Sequence, residues 1–81
     1  MQLHIVSPTL KKTYETEWFE CNTAQGNFVI QPEHAPTVLI LSPNSQVIFM
    51  AQNSQANIII IVKQGIVEIT RQEITLIITQ E

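Results

Sequence analysis

Few side chains in this sequence could do chemistry, and their spacing limits what that chemistry would be. The histidines are His4 and His34, and the one cysteine is Cys21. A thiol nucleophile would need one of these imidazoles beside Cys21 in the fold. Cys21 lies in the context Phe19-Glu20-Cys21-Asn22, which matches no nucleophile motif. It reads more simply as a small buried hydrophobe. Glu15, Glu17 and Glu20 form an acidic cluster, with Glu15 and Glu17 on one strand face. Paired carboxylates can serve as acid and base or hold a cation, but a solvated outer strand face accounts for them as well. Zinc needs three or four ligands, and His4, His34 and Cys21 lack metal-like spacing. With Gly26 and Gly65 the only glycines, there is no Gly-rich phosphate loop. The residues assign no catalytic site, no cofactor and no metal.

Composition narrows the class further. A chain of 81 residues makes one small domain, and a domain of that size buries only about 60% of its unfolded surface. A partner surface would add to its stability. The basic residues are Lys11, Lys12, Lys63 and Arg71, and the net charge is −3. So few cations cannot track a phosphate backbone, which argues against nucleic-acid binding. A single cysteine excludes an internal disulfide and fits a reducing compartment. Met1-Gln2-Leu3-His4 does not open a signal peptide. The longest apolar run, Ile58 to Val62, is far shorter than the roughly 20 residues of a membrane-spanning helix. A soluble chain is expected, able to join a membrane-bound assembly without inserting.

The elements that must position these residues are strands. Ile, Val and Thr make up 27 of the 81 residues, and such side chains suit a pleated surface. Apolar residues recur with period two: Leu3 and Ile5, Phe28 and Ile30, Val38 and Ile40, Val47 and Phe49, then Ile74, Leu76 and Ile78. Turn signals fall at Ser7-Pro8-Thr9, Gln25-Gly26, Gln31-Pro32-Glu33, Ser42-Pro43-Asn44-Ser45, Gln52-Asn53-Ser54-Gln55 and Gln64-Gly65, with a weaker one at Arg71-Gln72. This predicts strands near 2–7, 12–22, 27–31, 37–42, 45–52, 56–63, 65–70 and 73–79. The expected fold is all-β, a flattened sandwich or barrel of about 8–10 short strands.

Two strands carry apolar residues in both phases. Tyr14, Thr16 and Trp18 share one phase, while Phe19 and Cys21 share the other. A β-bulge near Trp18 would turn both sets inward; otherwise Trp18 or Phe19 faces a partner. Ile58-Ile59-Ile60-Ile61-Val62 has no alternation, so either both faces are covered or one awaits a partner. Between Gly26 and Pro36, Pro32 and Pro36 stiffen a loop holding His34. That loop reads either as a stiff crossover with His34 hydrogen-bonded locally or as a preorganised surface for a partner; the two readings are compatible, and composition does not separate them.

Gly26, Phe28, Ile30, Pro32 and His34-Ala35-Pro36 resemble the Gly-x-Phe-Gly-Ile-x-Pro-x-His-Ala-Pro signature of ATP synthase ε subunits. The flanks extend the likeness over nearly the whole chain. Met1 to Pro8 is similar to the family's opening strand, and Tyr14 stands where Phe is usual. Gly65-Ile66-Val67-Glu68-Ile69 resembles Gly-Gly-Phe-Val-Glu-Val, and Ile74-Thr75-Leu76-Ile77 resembles the closing Val-Thr-Val-Leu.

The resemblance implies a ten-stranded flattened β-sandwich that packs on the γ subunit and rests its lower loops on the c ring. It implies a non-catalytic rotor subunit, one copy per hetero-oligomeric complex, coupling ion translocation to ATP synthesis. Such a subunit is peripheral on the cytoplasmic face of a bacterial inner membrane or an equivalent energy-coupling membrane. By resemblance the c-ring contact comprises Gly26, Asn27, Phe28, Gln31, Pro32, Glu33, His34, Ala35 and Pro36. The apolar strand surfaces would meet γ, with Trp18, Phe19, Ile59 and Ile61 as the expected residues. Val29 replaces the signature's second Gly, Gln64 replaces the first of the Gly-Gly pair, and the loop Thr23-Ala24-Gln25 is short. Residues 1–81 read as one domain, without the family's two C-terminal helices or their regulatory role. The alternative is a free-standing β-sandwich interaction module unrelated to ATP synthase, since fold alone does not fix function.

Overall fold

A computed structural model describes residues 1–52, 54 and 56–80. Asn53 and Gln55, in one predicted turn, and Glu81 lie outside the described residues. The described chain forms eight strands: β1 (Gln2–Val6), β2 (Lys11–Thr23), β3 (Gly26–Ile30), β4 (Thr37–Ile40), β5 (Ser45–Ala51), β6 (Ile58–Val62), β7 (Gln64–Ile69) and β8 (Glu73–Gln80). Each predicted strand is present, with ends shifted by at most two residues. No described helix is long and apolar enough to cross a membrane.

The long strand β2 organises the topology. Its first half pairs antiparallel with β1, Leu3 opposite Tyr14 and Val6 opposite Lys11. β1 then pairs parallel with β8, β8 with β7, and β7 with β4. This is sheet 1. The second half of β2 lies between β3 and β5, and β5 pairs with β6. This is sheet 2. An isolated bridge from Thr23 to Leu41 brings the chain after β4 against the end of β2, nearly closing the sandwich into a flattened barrel.

β2 changes sheets through a bulge. Its register against β5 shifts between Thr16, opposite Ala51, and Phe19, opposite Phe49. The extra residue reverses the alternation, as expected from the two phases of this segment. Thr16, Phe19 and Cys21 are all fully buried, while Tyr14 is half-buried with its ring 5.0 Å from that of Phe49. Thr16 secures the kink. Its Oγ1 lies 2.8 Å from the Trp18 carbonyl oxygen and 2.7 Å from that of Met50. One hydroxyl hydrogen is thus shared between two backbone carbonyls at the bulge.

The core between the sheets contains Leu3, Ile5, Ile69, Ile74 and Leu76 from sheet 1, and Phe19, Val47, Phe49 and Val62 from sheet 2. The chain passes from sheet 2 to sheet 1 at Lys63, between β6 and β7. There Gly65 is tightly enclosed, at a register irregularity against β8. A Cβ on Gly65 would stand 3.0 Å from the Ile77 carbonyl oxygen, 3.0 Å from Val62 Cγ1 and 3.3 Å from Leu41 Cδ1. The glycine is therefore a packing requirement.

Two stability effects are expected. Thr16→Val should destabilise the fold by about 1–3 kcal/mol, because two partly buried carbonyls lose this donor. Thr16→Ser should recover part of the loss. Gly65→Ala should cost about 1–3 kcal/mol through overpacking. Urea denaturation midpoints measure both, and a Thr16→Val midpoint equal to that of the unaltered chain would exclude the hydroxyl as the bulge's lock.

Candidate interaction surfaces

The residues with chemical potential are kept apart. The Cys21 side chain faces the core and is fully buried, while both histidines make polar contacts elsewhere. His4 Nδ1 is 3.0 Å from Thr13 Oγ1, and its Nε2 is 3.6 Å from Glu73 Oε1, across three neighbouring strands of sheet 1. The His34 ring contacts the Ala35 carbonyl oxygen at 2.8 Å. The three glutamates also separate. Glu15 pairs with the Met1 ammonium at 3.2 Å, Glu20 accepts from the Asn27 amide at 3.1 Å, and Glu17 is exposed. Among the described residues no three His, Cys, Asp or Glu side chains come together as metal ligands.

The segment from Gly26 to Pro36 divides into two places. Gly26 has φ 125° and closes the β2–β3 hairpin beside Asn27. The Asn27 side-chain amide donates to Glu20 and to Asn22 Oδ1 at 2.9 Å, so it is anchored on the outer face of sheet 2. Phe28 is half-buried and packs against the core. Gln31 to Pro36 lie at the far end of β3, about 13 Å along the strand. That loop crosses from sheet 2 to sheet 1. Glu33 adopts a left-handed φ of 69°, and its N–H donates to the Arg71 carbonyl at 2.9 Å. The His34 N–H donates to the Gln31 carbonyl at 3.3 Å. Gln31, Pro32, Glu33, Ala35 and Pro36 are exposed. The nine residues expected at one contact thus form two patches at opposite ends of one strand.

The four residues expected at an apolar interface also divide. Phe19 is at 0% exposure, so its side chain offers no surface to a partner. The bulge turns it inward and leaves Trp18 half-buried on the outer face. Ile59 and Ile61 are 56% and 60% exposed. In β6 the phase of Ile58, Ile60 and Val62 faces the core, and the other phase is bare. Ile59 stands opposite Ile48 on β5, and Val29 is exposed on β3.

Sequence reasoning missed a second apolar surface. On the outside of sheet 1, Ile40 opposes Ile66, Ile66 opposes Ile77, and Ile77 opposes Val6. Ile40 is 73% exposed, and Val38 is also exposed. The period of two places Val38 and Ile40 on one face, but Leu39 and Leu41 take the inward positions. The signal was present as apolar residues in both phases of Val38-Leu39-Ile40-Leu41. Beside this surface, an open groove of ≈ 680 Å³ includes Val38, Ile40, Ile66, Gln25 and Gln64 in its lining, which contains no charged residue.

Comparison with known proteins agrees with this architecture. Residues 1–80 match the family model described as ATP synthase, Delta/Epsilon chain, beta-sandwich domain. The search of curated proteins found no significant match. Among solved structures, a chain in the cryo-EM structure of the Tetrahymena thermophila mitochondrial ATP synthase central stalk and c ring superposes with a TM-score of 0.73 at 14% identity. The match covers 99% of the present chain and 63% of the other. At that identity the likeness concerns the fold.

The thiol provides a pH test of the core. Burial, with a further push from the Glu20 carboxylate, raises Cys21 from 9.0 to about 11. The folded thiol holds its proton to higher pH than the unfolded one. This contribution is therefore complete below about pH 9 and is lost as pH rises toward about 11. Denaturation midpoints should fall across that window, and Cys21→Ala should flatten the fall. An equal decline in both proteins would remove Cys21 as its cause.

Proposed function

The chain belongs to the ATP synthase delta/epsilon β-sandwich family, and from that premise we propose that it is a central-stalk subunit of a rotary ATP synthase, linking γ to the c ring. Delta/epsilon chains are non-catalytic, and in this proposal the chain has the same role. The observation that carries the reading is the bare apolar phase of β6. A small sandwich with Ile59 and Ile61 exposed beside Ile48 and Trp18 presents a surface suited to a protein partner. In this proposal the outer face of sheet 2 meets γ.

The ring contact is narrowed by the division of the signature segment. The proposed contact is the Gly26–Asn27 end, where the β2–β3 hairpin projects beside Leu41 and Ser42. The His34 loop at the other end is held to Arg71 and positions the crossover. One copy per complex would then lie peripherally at an energy-coupling membrane, on its cytoplasmic face in a bacterium.

Co-purification with a cognate γ subunit tests the proposal. A complex is expected at micromolar concentration, and Ile59→Lys with Ile61→Lys should weaken it at least about tenfold, as expected for interface anchors. Failure of two folded proteins to associate would support the free-standing module instead. In assembled enzyme, Asn27→Asp should reduce ATP-driven ion pumping while leaving γ bound. Joint replacement of Gln31, Glu33 and His34 by Ala should have less effect, and the reverse ranking would place the ring contact at the other end.

A further inference from the structure

The outer face of sheet 2 carries a carboxylate in the midst of its apolar side chains. Register sets a row across four strands: Val29 opposes Glu20, Glu20 opposes Ile48, and Ile48 opposes Ile59. Trp18 lies two residues before Glu20 on the same face. Glu20 is the charged member of that row and is half-buried. The other charges near this face stand at its margins, Glu17 at the bulge and Lys63 just past the end of β6. β2 runs between β3 and β5, so Glu20 is interior to the sheet. Neighbouring strands are about 4.8 Å apart. A partner surface that covers Val29, Ile48 and Ile59 therefore covers Glu20 as well.

The chain itself gives this carboxylate only a neutral partner. Asn27 Nδ2 donates to Glu20 Oε2 at 3.1 Å, and the same amide donates to Asn22 Oδ1 at 2.9 Å. Glu15 has the Met1 ammonium and Glu73 the His4 ring, but among the described residues no cation pairs with Glu20. Burying an ionised carboxylate is costly unless a charge and hydrogen bonds replace its water. A proton is the wrong replacement here, because the Asn27 donor favours the ionised form.

From this placement we propose that the partner covering the outer face of sheet 2 sets an Arg or Lys side chain against Glu20, within apolar contacts to Trp18, Val29, Ile48 and Ile59. Asn27 holds Oε2, which leaves Oε1 for the incoming cation. The isoleucines supply contact area, and Glu20 supplies selectivity. An apolar surface without a cation would desolvate the carboxylate and leave it unpaired, so such a surface is rejected. The inference deepens the proposed γ contact and rests on it.

Titration calorimetry of the chain with a cognate γ subunit tests the pairing. Glu20→Gln should weaken binding at least about tenfold, because the cation of γ is then buried against a neutral amide. The urea midpoint of that variant should match the unaltered chain, which separates lost binding from lost folding. Among γ variants with single Arg or Lys residues changed to Glu, one should lose binding to the unaltered chain and regain it with Glu20→Lys. If Glu20→Gln binds γ as tightly as the unaltered chain, or more tightly, the pairing is overturned while the γ contact stands. Binding that tightens with falling pH in the unaltered chain but not in Glu20→Gln also overturns it, since a proton would then neutralise the carboxylate. Failure of the unaltered chain to bind γ overturns both the pairing and the contact.

Discussion

The Thr16 hydroxyl lies between the Trp18 and Met50 carbonyls and holds the bulge on which the sandwich depends. β2 is thirteen residues long and serves both sheets. A regular strand of that length would bury either Thr16 or Phe19, but not both, because alternate residues face opposite sides. The extra residue changes the phase, so Phe19 and Cys21 complete the core that Leu3 and Ile5 begin. Without that change, Trp18 would point inward and Phe19, now fully buried, would face solvent. The sheet pairing, the packing of Phe19 near Phe49 and the enclosure of Cys21 all follow from this point.

A second constraint is the thinness of the domain. With extents of 28 × 26 × 19 Å, it has two sheets and one layer of side chains between them. Each strand can bury one face only. The sequence nevertheless gives β4 and β6 apolar residues on both faces. The excess appears on the two outer surfaces, at Ile40 and Ile66 on sheet 1 and at Ile59 and Ile61 on sheet 2. A protein that functioned alone would gain solubility from polar residues there. In the proposed assembly, neighbouring subunits would cover these surfaces, which gives the excess a physical rationale.

The close packing at Gly65 and the left-handed Glu33 belong to the crossings between sheets. Gly65 lets the backbone of β7 approach Ile77 where the chain leaves β6. Glu33 turns the loop after β3 so that its N–H reaches Arg71. Both positions fall in segments that resemble the family signature. Chain geometry explains the glycine at position 65, whereas the left-handed φ of Glu33 is one that glycine or asparagine adopts more readily, so geometry does not account for glutamate there.

Much of the architecture was legible in the sequence because it is governed locally. Period-two alternation and the turn residues marked all eight strands, and the two-phase segment around Trp18 marked the bulge. The signature from Gly26 to Pro36 marked the family. The tertiary structure decided which apolar phase became core. In Val38-Leu39-Ile40-Leu41 and Ile58 to Val62 both phases are equally hydrophobic, so no local rule selects between them; strand register and the opposite sheet do. The same global pairing buried Phe19 in place of Trp18. It also sent Asn27 and His34 to opposite ends of β3, since residues adjacent in a sequence motif are separated by the length of the strand between them.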